Sequence, residues 1–465
     1  MPSSNIFRIA TFAAVLLVKF LGATTERPNI IFIMADDLGY GQVGAYGQSE
    51  IKTPCIDRMA MEGLLLSDYY SGTAVCAPSR CALMTGMHIG HSFIRGNYEI
   101  QATEKNEPGQ LPIPDETVTV AEKLKEANYV TACIGKWGLG YPFSEGDPLN
   151  QGFDYFYGYN CQRHAHSYYP KWLWKNHEKV NLGARDTVEG YSHYRLTTEA
   201  RKFILQNKDQ PFFLYLAYTI PHSHIQIPES DPNYTQYLGK DWPSVQKRLA
   251  GMISLMDQDV GGLLDLLSDL GIEKNTLVIF TSDNGPATAG GVIRDFFDDS
   301  GPLRGIKRNL YEGGTRVPFI AHWPSVIKPG RRSNHLGAHW DLMATACEMA
   351  GVPLQAGTDS ISYLPLLKGD FDKQKQHDYL YFELHWPTKR AIRQGDWVAV
   401  QENTSTVNPN VNPIELFNLK DDLGQDNNLA ESHPEKIKHF KNLLERSHTP
   451  SEHFIFGQGR PNKKP

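Results

Sequence analysis

Ile30-Ile-Phe-Ile-Met-Ala35 is apolar at every position, and it stops at two carboxylates, Asp36-Asp37. A strand with one wet face would alternate polar and apolar residues. A short continuous run reads instead as a strand buried on both faces, as in parallel sheets covered by helices on either side. Similar runs recur at 129–134, 212–218, 277–281 and 317–322. Between them lie stretches with helical spacing. The longest, 245–270, places Leu249, Met252, Ile253, Met256, Val260, Leu263, Leu264 and Leu267 on one face, and 118–127 and 342–350 are shorter versions. The expectation is an α/β fold: a large, mainly parallel sheet flanked by helices.

The pattern changes near Gly351–Gly357. Shorter strands follow at 379–384, 390–393, 397–401 and 415–418, then a helix at 434–446 with Ile437, Phe440, Leu443 and Leu444 on one face. This reads as a smaller C-terminal antiparallel sheet plus one helix. The expected division is a signal peptide over 1–23, a catalytic domain over 26–355, a small subdomain over 356–450 and a frayed tail over 451–465.

Two features bear on where the protein works. Arg8 precedes an apolar stretch from Ile9 to Leu21, broken by Thr11 and Lys19 and followed by Gly22-Ala23. That is the form of a secretory signal cleaved near Ala23, too short and interrupted for a membrane span. The expected location is secreted, periplasmic or otherwise extracytoplasmic, with no membrane span after signal removal. The net charge is −6, from 46 basic and 52 acidic residues mixed along the chain. No concentrated basic face is present for nucleic acid, which is excluded as a partner. Disulfides are possible outside the cytosol, but the six cysteines show no metal-ligand spacing. Asn233 and Asn403 begin glycosylation sequons.

Asp36-Asp37 end the first strand, and the run at 277–281 leads into Ser282-Asp283-Asn284-Gly285. In open α/β sheets, ligands gather beyond the carboxyl ends of strands. Adjacent carboxylates there repel one another unless a cation intervenes, and an amide oxygen beside them suits a hard divalent ion.

Cys76-Ala-Pro-Ser-Arg-Cys-Ala-Leu-Met-Thr-Gly86 carries a C-x-P-S-R core. With Gly135-Lys136-Trp137, Pro221-His222, Ser282–Gly285, Lys307 before Tyr311-Glu-Gly-Gly-Thr-Arg316, and Glu415-Leu-Phe-Asn-Leu, the chain resembles the type I, formylglycine-dependent sulfatases of the alkaline-phosphatase superfamily. The resemblance implies an alkaline-phosphatase-like fold and a sulfuric ester hydrolase. It implies that a formylglycine-generating enzyme, reading the core that includes Ser79, oxidises Cys76 to formylglycine. One hydroxyl of the hydrated aldehyde attacks sulfur and the other later expels sulfate. It also implies one Ca²⁺ held by Asp36, Asp37, Asp283, Asn284 and the modified Cys76. Arg80, Lys136, His222 and Lys307 are then catalytic, and the substrate is a sulfated small molecule or glycan, with a sulfated carbohydrate favoured. The alternatives are a phosphoester hydrolase of the same superfamily, or an impaired protein that binds sulfated glycans without turnover.

One departure stands out. The family usually reads Gly-Lys-Trp-His-Leu-Gly, but the fourth position here is Gly138. The segment Gln162-Arg-His-Ala-His166 is the candidate source of a replacement. If extended, it would point His164 and His166 to one face; replacement of the missing imidazole, substrate contact and a structural role all remain open for the pair. His224 is a candidate for the substrate side of the pocket or for a surface loop. Tyr168, Tyr169, Trp172 and Trp174 offer either a sugar platform or packing.

Overall fold

The computed structural model describes residues 27–101, 108–385, 387–402 and 412–456. The signal segment, Asn403 and the last part of the tail lie outside the described residues. The first strand, Asn29–Ala35, is buried at every position. Ile31, Ile33 and Ala35 enter one core, and Ile30, Phe32 and Met34 enter the other. The continuous apolar run thus reflects two buried faces.

This strand lies inside a ten-stranded sheet. It runs parallel to Phe212–Ala217 on one side and Thr276–Ser282 on the other. Val130–Lys136 and Tyr155–Tyr159 extend the parallel set. On one side Phe319–His322 lies antiparallel between Thr276–Ser282 and Leu64–Leu66, with Arg331–Ser333 outermost and parallel to Leu64–Leu66; on the other, Trp172–Lys175 and Glu178–Asn181 follow antiparallel. The expectation of a mainly parallel sheet therefore holds for its centre, while antiparallel pairs lie toward the edges, one of them finished by the Trp172–Lys175/Glu178–Asn181 hairpin, which needs no crossover helix. Ser192–Asn207 and Ser244–Asp269 cover one face. Cys76–Thr85, Val120–Lys125 and Asp341–Ala350 cover the other.

The C-terminal sheet is an antiparallel meander of Leu380–Leu384, Lys389–Gln394, Trp397–Glu402 and Glu415–Asn418. Helix Pro434–Arg446 covers one face through Phe440, Leu443 and Leu444. The other face packs on Tyr70, Tyr311 and Trp340 of the larger part. The Thr73 hydroxyl donates to the Glu383 carbonyl (2.7 Å), so the small sheet steadies the loop that enters the Cys76 helix. The tail read from residue 451 is not wholly frayed. Phe454 is buried and stacks on Tyr98 at 4.7 Å, since an aromatic ring gains more from that contact than the last turns lose in freedom.

Strand register sets where chemistry can occur. Ala35 pairs with Ser282, the Asp283 N–H donates to the Ala35 carbonyl (3.0 Å), and the Asp36 N–H donates to Ile220 (3.2 Å). The residues after these parallel strands therefore emerge side by side on one edge.

Under that edge His339 is fully buried against Phe32 and Tyr69, with Nδ1 3.2 Å from the Ser79 hydroxyl. Burial pushes its pKa down to about 3, against a smaller opposing pull from Asp283. The unfolded chain takes up this proton below about pH 6.5, whereas the native ring resists until near pH 3. Its contribution is therefore complete above pH 6.5 and lost as pH falls toward 3, up to about 5 kcal/mol in all. His339→Gln should show a shallower fall of Tm between pH 7 and 4 than the parent protein. A constant Tm difference across that range would show that this ring does not carry the pH dependence.

Candidate active site

Cys76 is the first residue of helix Cys76–Thr85, whose ten residues are all buried. Pro78 sits in the first turn, where its missing N–H costs no intrahelical bond. Gly86 ends the helix in the left-handed region (φ 70°), with its N–H on the Ala82 carbonyl. Ser79 Oγ accepts the Gly72 N–H (2.9 Å), and Asn97 Oδ1 accepts that of Ala77 (2.9 Å). These bonds fix Cys76 at the strand edge. Its Sγ lies 3.6 Å from Asp36 Oδ1 and 3.3 Å from Lys307 Nζ. Burial pushes the thiol up to about 12, and Lys136 and Lys307 offset this only in part. The unmodified sulfur is therefore a protonated thiol and a weak nucleophile.

Successive strand residues point to opposite faces, yet Asp36 and Asp37 both face Cys76. The backbone explains this: Asp37 has φ 67°, a left-handed conformation that aspartate tolerates better than most residues. Three carboxylates meet three cations here. Lys136 Nζ donates to Asp36 Oδ2 (2.6 Å), Lys307 Nζ to Asp37 Oδ1 (2.6 Å), and Arg80 Nη2 to Asp283 Oδ2 (2.8 Å). Arg80, one helical turn after Cys76, also reaches the Lys136 carbonyl (2.8 Å). Burial pushes the Asp36 carboxyl upward, but Lys136, His222 and Arg80 together hold it well below the usual range. Asp37 is likewise lowered, chiefly by Lys307 and His222 against burial. Burial opposes the charge on Lys136, and Asp36 more than restores it.

The donor set fits a divalent cation. Ligand atoms of Asp36, Asp37, Cys76 and His222 all lie within 4.8 Å of one another. Asn284 donates Nδ2 to Asp37 (2.7 Å), but its fully buried Oδ1 has no hydrogen-bond partner. An orphaned amide oxygen beside carboxylates is the remaining hard donor such an ion needs. Among the described residues His88, His91 and Asp359 also gather. There His88 Nδ1 accepts the Gly90 N–H (3.1 Å) and burial pushes the ring down to about 4. Its proton then sits on Nε2, the nitrogen facing Asp359 (3.7 Å), where a metal would have to bind.

His222 donates Nδ1–H to the Ser223 carbonyl (2.6 Å), leaving Nε2 facing Asp37 at 3.4 Å. Burial lowers its pKa although Asp37 and Asp36 pull it upward. His166 stacks on it, ring centres 4.9 Å apart. Burial, then His222 and Lys136, push His166 down to about 4. His164 is elsewhere. The expectation that 164 and 166 share a face assumed an extended chain, but His164–His166 is a 3-10 turn. About 120° per residue separates the two side chains. His164 Nε2 contacts the Trp172 carbonyl (3.0 Å), with its ring against Tyr159 and Trp172. His224 is exposed and directs both its N–H and its Nδ1 to the His166 carbonyl (3.1 and 2.7 Å), bracing that turn. The aromatic cluster divides too: Tyr168 and Trp174 are buried, and the Tyr168 hydroxyl reaches the Thr219 and His222 carbonyls (2.5 and 2.6 Å). Tyr168 thus orients His222, a role without a signature in the sequence.

Comparison with known proteins agrees with this arrangement. The Sulfatase family profile matches residues 28–352, and that of N-sulphoglucosamine sulphohydrolase, C-terminal, matches 305–449. The chain is 35% identical to N-acetylgalactosamine-6-sulfatase of Canis lupus familiaris over 76% of its own length and 69% of that protein's. It is 33% identical to arylsulfatase A of Homo sapiens over 92% of its length and 90% of that protein's. The crystal structure of Ps i-CgsB in complex with k-i-k-neocarrahexaose superposes with a TM-score of 0.80 at 28% identity, covering 94% of this chain and 96% of that one. The chain belongs to the sulfatase family, whose members are sulfuric ester hydrolases.

Proposed function

We propose that the protein removes sulfate from a sulfated carbohydrate, using formylglycine made from Cys76 by a formylglycine-generating enzyme and one Ca²⁺ held by Asp36, Asp37, Asp283, Asn284 and residue 76. The observation that carries this reading is the Cys76 sulfur at a helix start, in contact with a carboxylate and an ammonium of a buried, charge-balanced cluster. The hydrated aldehyde supplies the attacking hydroxyl that a protonated thiol does not, and the ion supplies positive charge for the sulfate oxygens.

The chain's own residues account for the remaining work. Three carboxylates against three cations leave no net charge. A divalent cation and a monoanionic sulfate ester would together add one positive charge, which faces the negative charge that develops as the ester bond breaks. Lys136 and Lys307 stay protonated and donate to sulfate and leaving-group oxygens as negative charge develops there. Arg80 holds Asp283 through two nitrogens, Nε and Nη2, and so fixes a metal carboxylate. The Nδ1–H of His222 is committed to Ser223, so Nε2 is the atom able to take a proton and return it to the departing alcohol oxygen. His166, stacked beside it, supplies a second imidazole near Lys136. Export through the N-terminal signal belongs to the same proposal; among the described residues no helix is long and apolar enough to cross a membrane.

Four outcomes are expected. Cys76→Ala should fold normally and lose sulfate ester hydrolysis, and the peptide containing residue 76 should carry the mass of formylglycine; an active, folded Cys76→Ala protein would defeat the nucleophile assignment. Chelation should lower both Tm and turnover, with Ca²⁺ restoring them. Asp37→Asn should weaken Ca²⁺ binding by about tenfold or more, because a charged ligand is lost and Lys307 is left unpaired. His166→Ala should reduce kcat/KM by roughly 10- to 100-fold, while His164→Ala, like the remote His439→Ala, should leave it near the parent value. Equal losses at 164 and 166 would refute the distinction drawn from their contacts.

A further inference from the structure

The gap at Gly138 is filled, and the filling group is an amide. Gly138 lies two residues beyond Lys136, in the left-handed region (φ 80°), with its N–H on the Asn160 carbonyl (3.3 Å). A Cβ at this position would stand 2.2 Å from Gln162 Nε2 and 4.0 Å from the Cβ of Ala77, the neighbour of Cys76. No side chain fits at 138 while Gln162 keeps its place. Glycine is therefore the condition for Gln162 to lie here, close to the first turn of the Cys76–Thr85 helix.

Gln162 is 5% exposed, yet neither Nε2 nor Oε1 has a hydrogen-bond partner. Among the described residues it is the one buried amide side chain with both ends unsatisfied; Gln110, Gln151, Gln246, Asn284 and Gln425 lack a partner for one buried end only. Burying an amide without partners is unfavourable by an amount that few folded proteins tolerate away from a ligand site. The surroundings show what completes it. Lys136 lies just before Gly138, and His166, four residues along from Gln162, stacks on His222 of another loop. Whichever way the amide turns, one end donates and the other accepts. A sulfate group offers acceptors only, so it satisfies Nε2 alone. Oε1 requires a donor, and the alcohol part of a sugar provides hydroxyls.

We propose that Gln162 is a substrate-binding residue that stands in the space of the family's missing histidine. Its amide N–H donates to the sulfate ester, and its carbonyl accepts a free hydroxyl of the sugar that carries the ester. This inference rests on the sulfatase reading of the site. It adds to that reading a neutral contact in place of a titrating one, and a selectivity for sulfate esters flanked by a hydroxyl over those without one.

The test uses the full-length protein, the variants Gln162→Met, Gln162→Glu and Cys76→Ala, and two probes: inorganic sulfate and 4-nitrocatechol sulfate. Methionine keeps the shape of glutamine and removes both polar ends. Gln162→Met should raise Tm in the absence of ligand, because an unsatisfied amide is gone. It should shrink the Tm increase produced by inorganic sulfate and lower kcat/KM for 4-nitrocatechol sulfate by roughly 10- to 100-fold. Gln162→Glu loses the donor and adds a charge that repels sulfate, so its kcat/KM should fall at least as far. A packing role predicts the reverse for methionine: a lower Tm with the sulfate response and turnover unchanged, and that result overturns the inference. If the parent protein is active, Cys76→Ala is inactive and Gln162→Met matches the parent, the inference fails while the sulfatase reading stands. A parent protein that neither responds to sulfate nor turns over the ester would bring down both.

Discussion

Six charges buried at one sheet edge are the constraint on which the rest of the structure depends. Asp36, Asp37 and Asp283 would each be strongly disfavoured as isolated anions in this interior, and so would Arg80, Lys136 and Lys307 as isolated cations. They come from the ends of three parallel strands, one helix and one loop, so their pairing requires all five segments in register. Removing any one charge strands its partner, a larger loss than the pair's net gain. The two-sided core beneath meets this demand. Because every residue from Ile30 to Ala35 packs on one of two cores, the edge cannot shift without exposing apolar surface.

Local backbone features then turn a sheet edge into a site. The left-handed Asp37 makes two consecutive carboxylates converge where strand geometry would separate them. Helix Cys76–Thr85 places Cys76 and Arg80 one turn apart, so a single element offers both the proposed reacting position and the cation that holds a carboxylate. The loop before that helix is tied to the small C-terminal sheet through Thr73 and Glu383. The second sheet therefore supports chemistry to which it contributes no paired charge.

Much of this was legible in the sequence because its causes are local. Continuous apolar runs mark strands buried on both faces, and the 3.6-residue spacing over 245–270 marks the helix that the structure places at Ser244–Asp269. Asp36, Asp37 and Asp283 could be read because strand ends are where a parallel sheet binds ligands. The edges of the sheet were less legible, since hairpin strands such as Glu178–Asn181 are half-exposed and carry little periodicity. The His164/His166 pair shows the other limit. Whether two residues at i and i+2 share a face depends on whether the chain is extended or turned, and nothing in Arg-His-Ala-His decides between these. Tyr168 and Gln162 were harder still: one acts through carbonyls of a distant loop, the other through a space left by a glycine 24 positions earlier.

The unsatisfied groups give the most direct guide to what the fold is built to receive. Asn284 Oδ1 among carboxylates and both ends of Gln162 in the space over Gly138 are costs that the folded chain bears without any internal return. A fold selected for stability alone would replace Gln162 by an apolar residue of equal volume, since an unsatisfied buried amide is worse than a methyl-bearing chain. Retaining it beside a glycine that alone leaves it room is intelligible if a ligand supplies the missing hydrogen bonds. The same reasoning bears on why Lys136 and Lys307 rest on carboxylates: in the proposed reaction each cation is already charged and held in place where sulfate would be met, so little reorganisation would remain on its arrival.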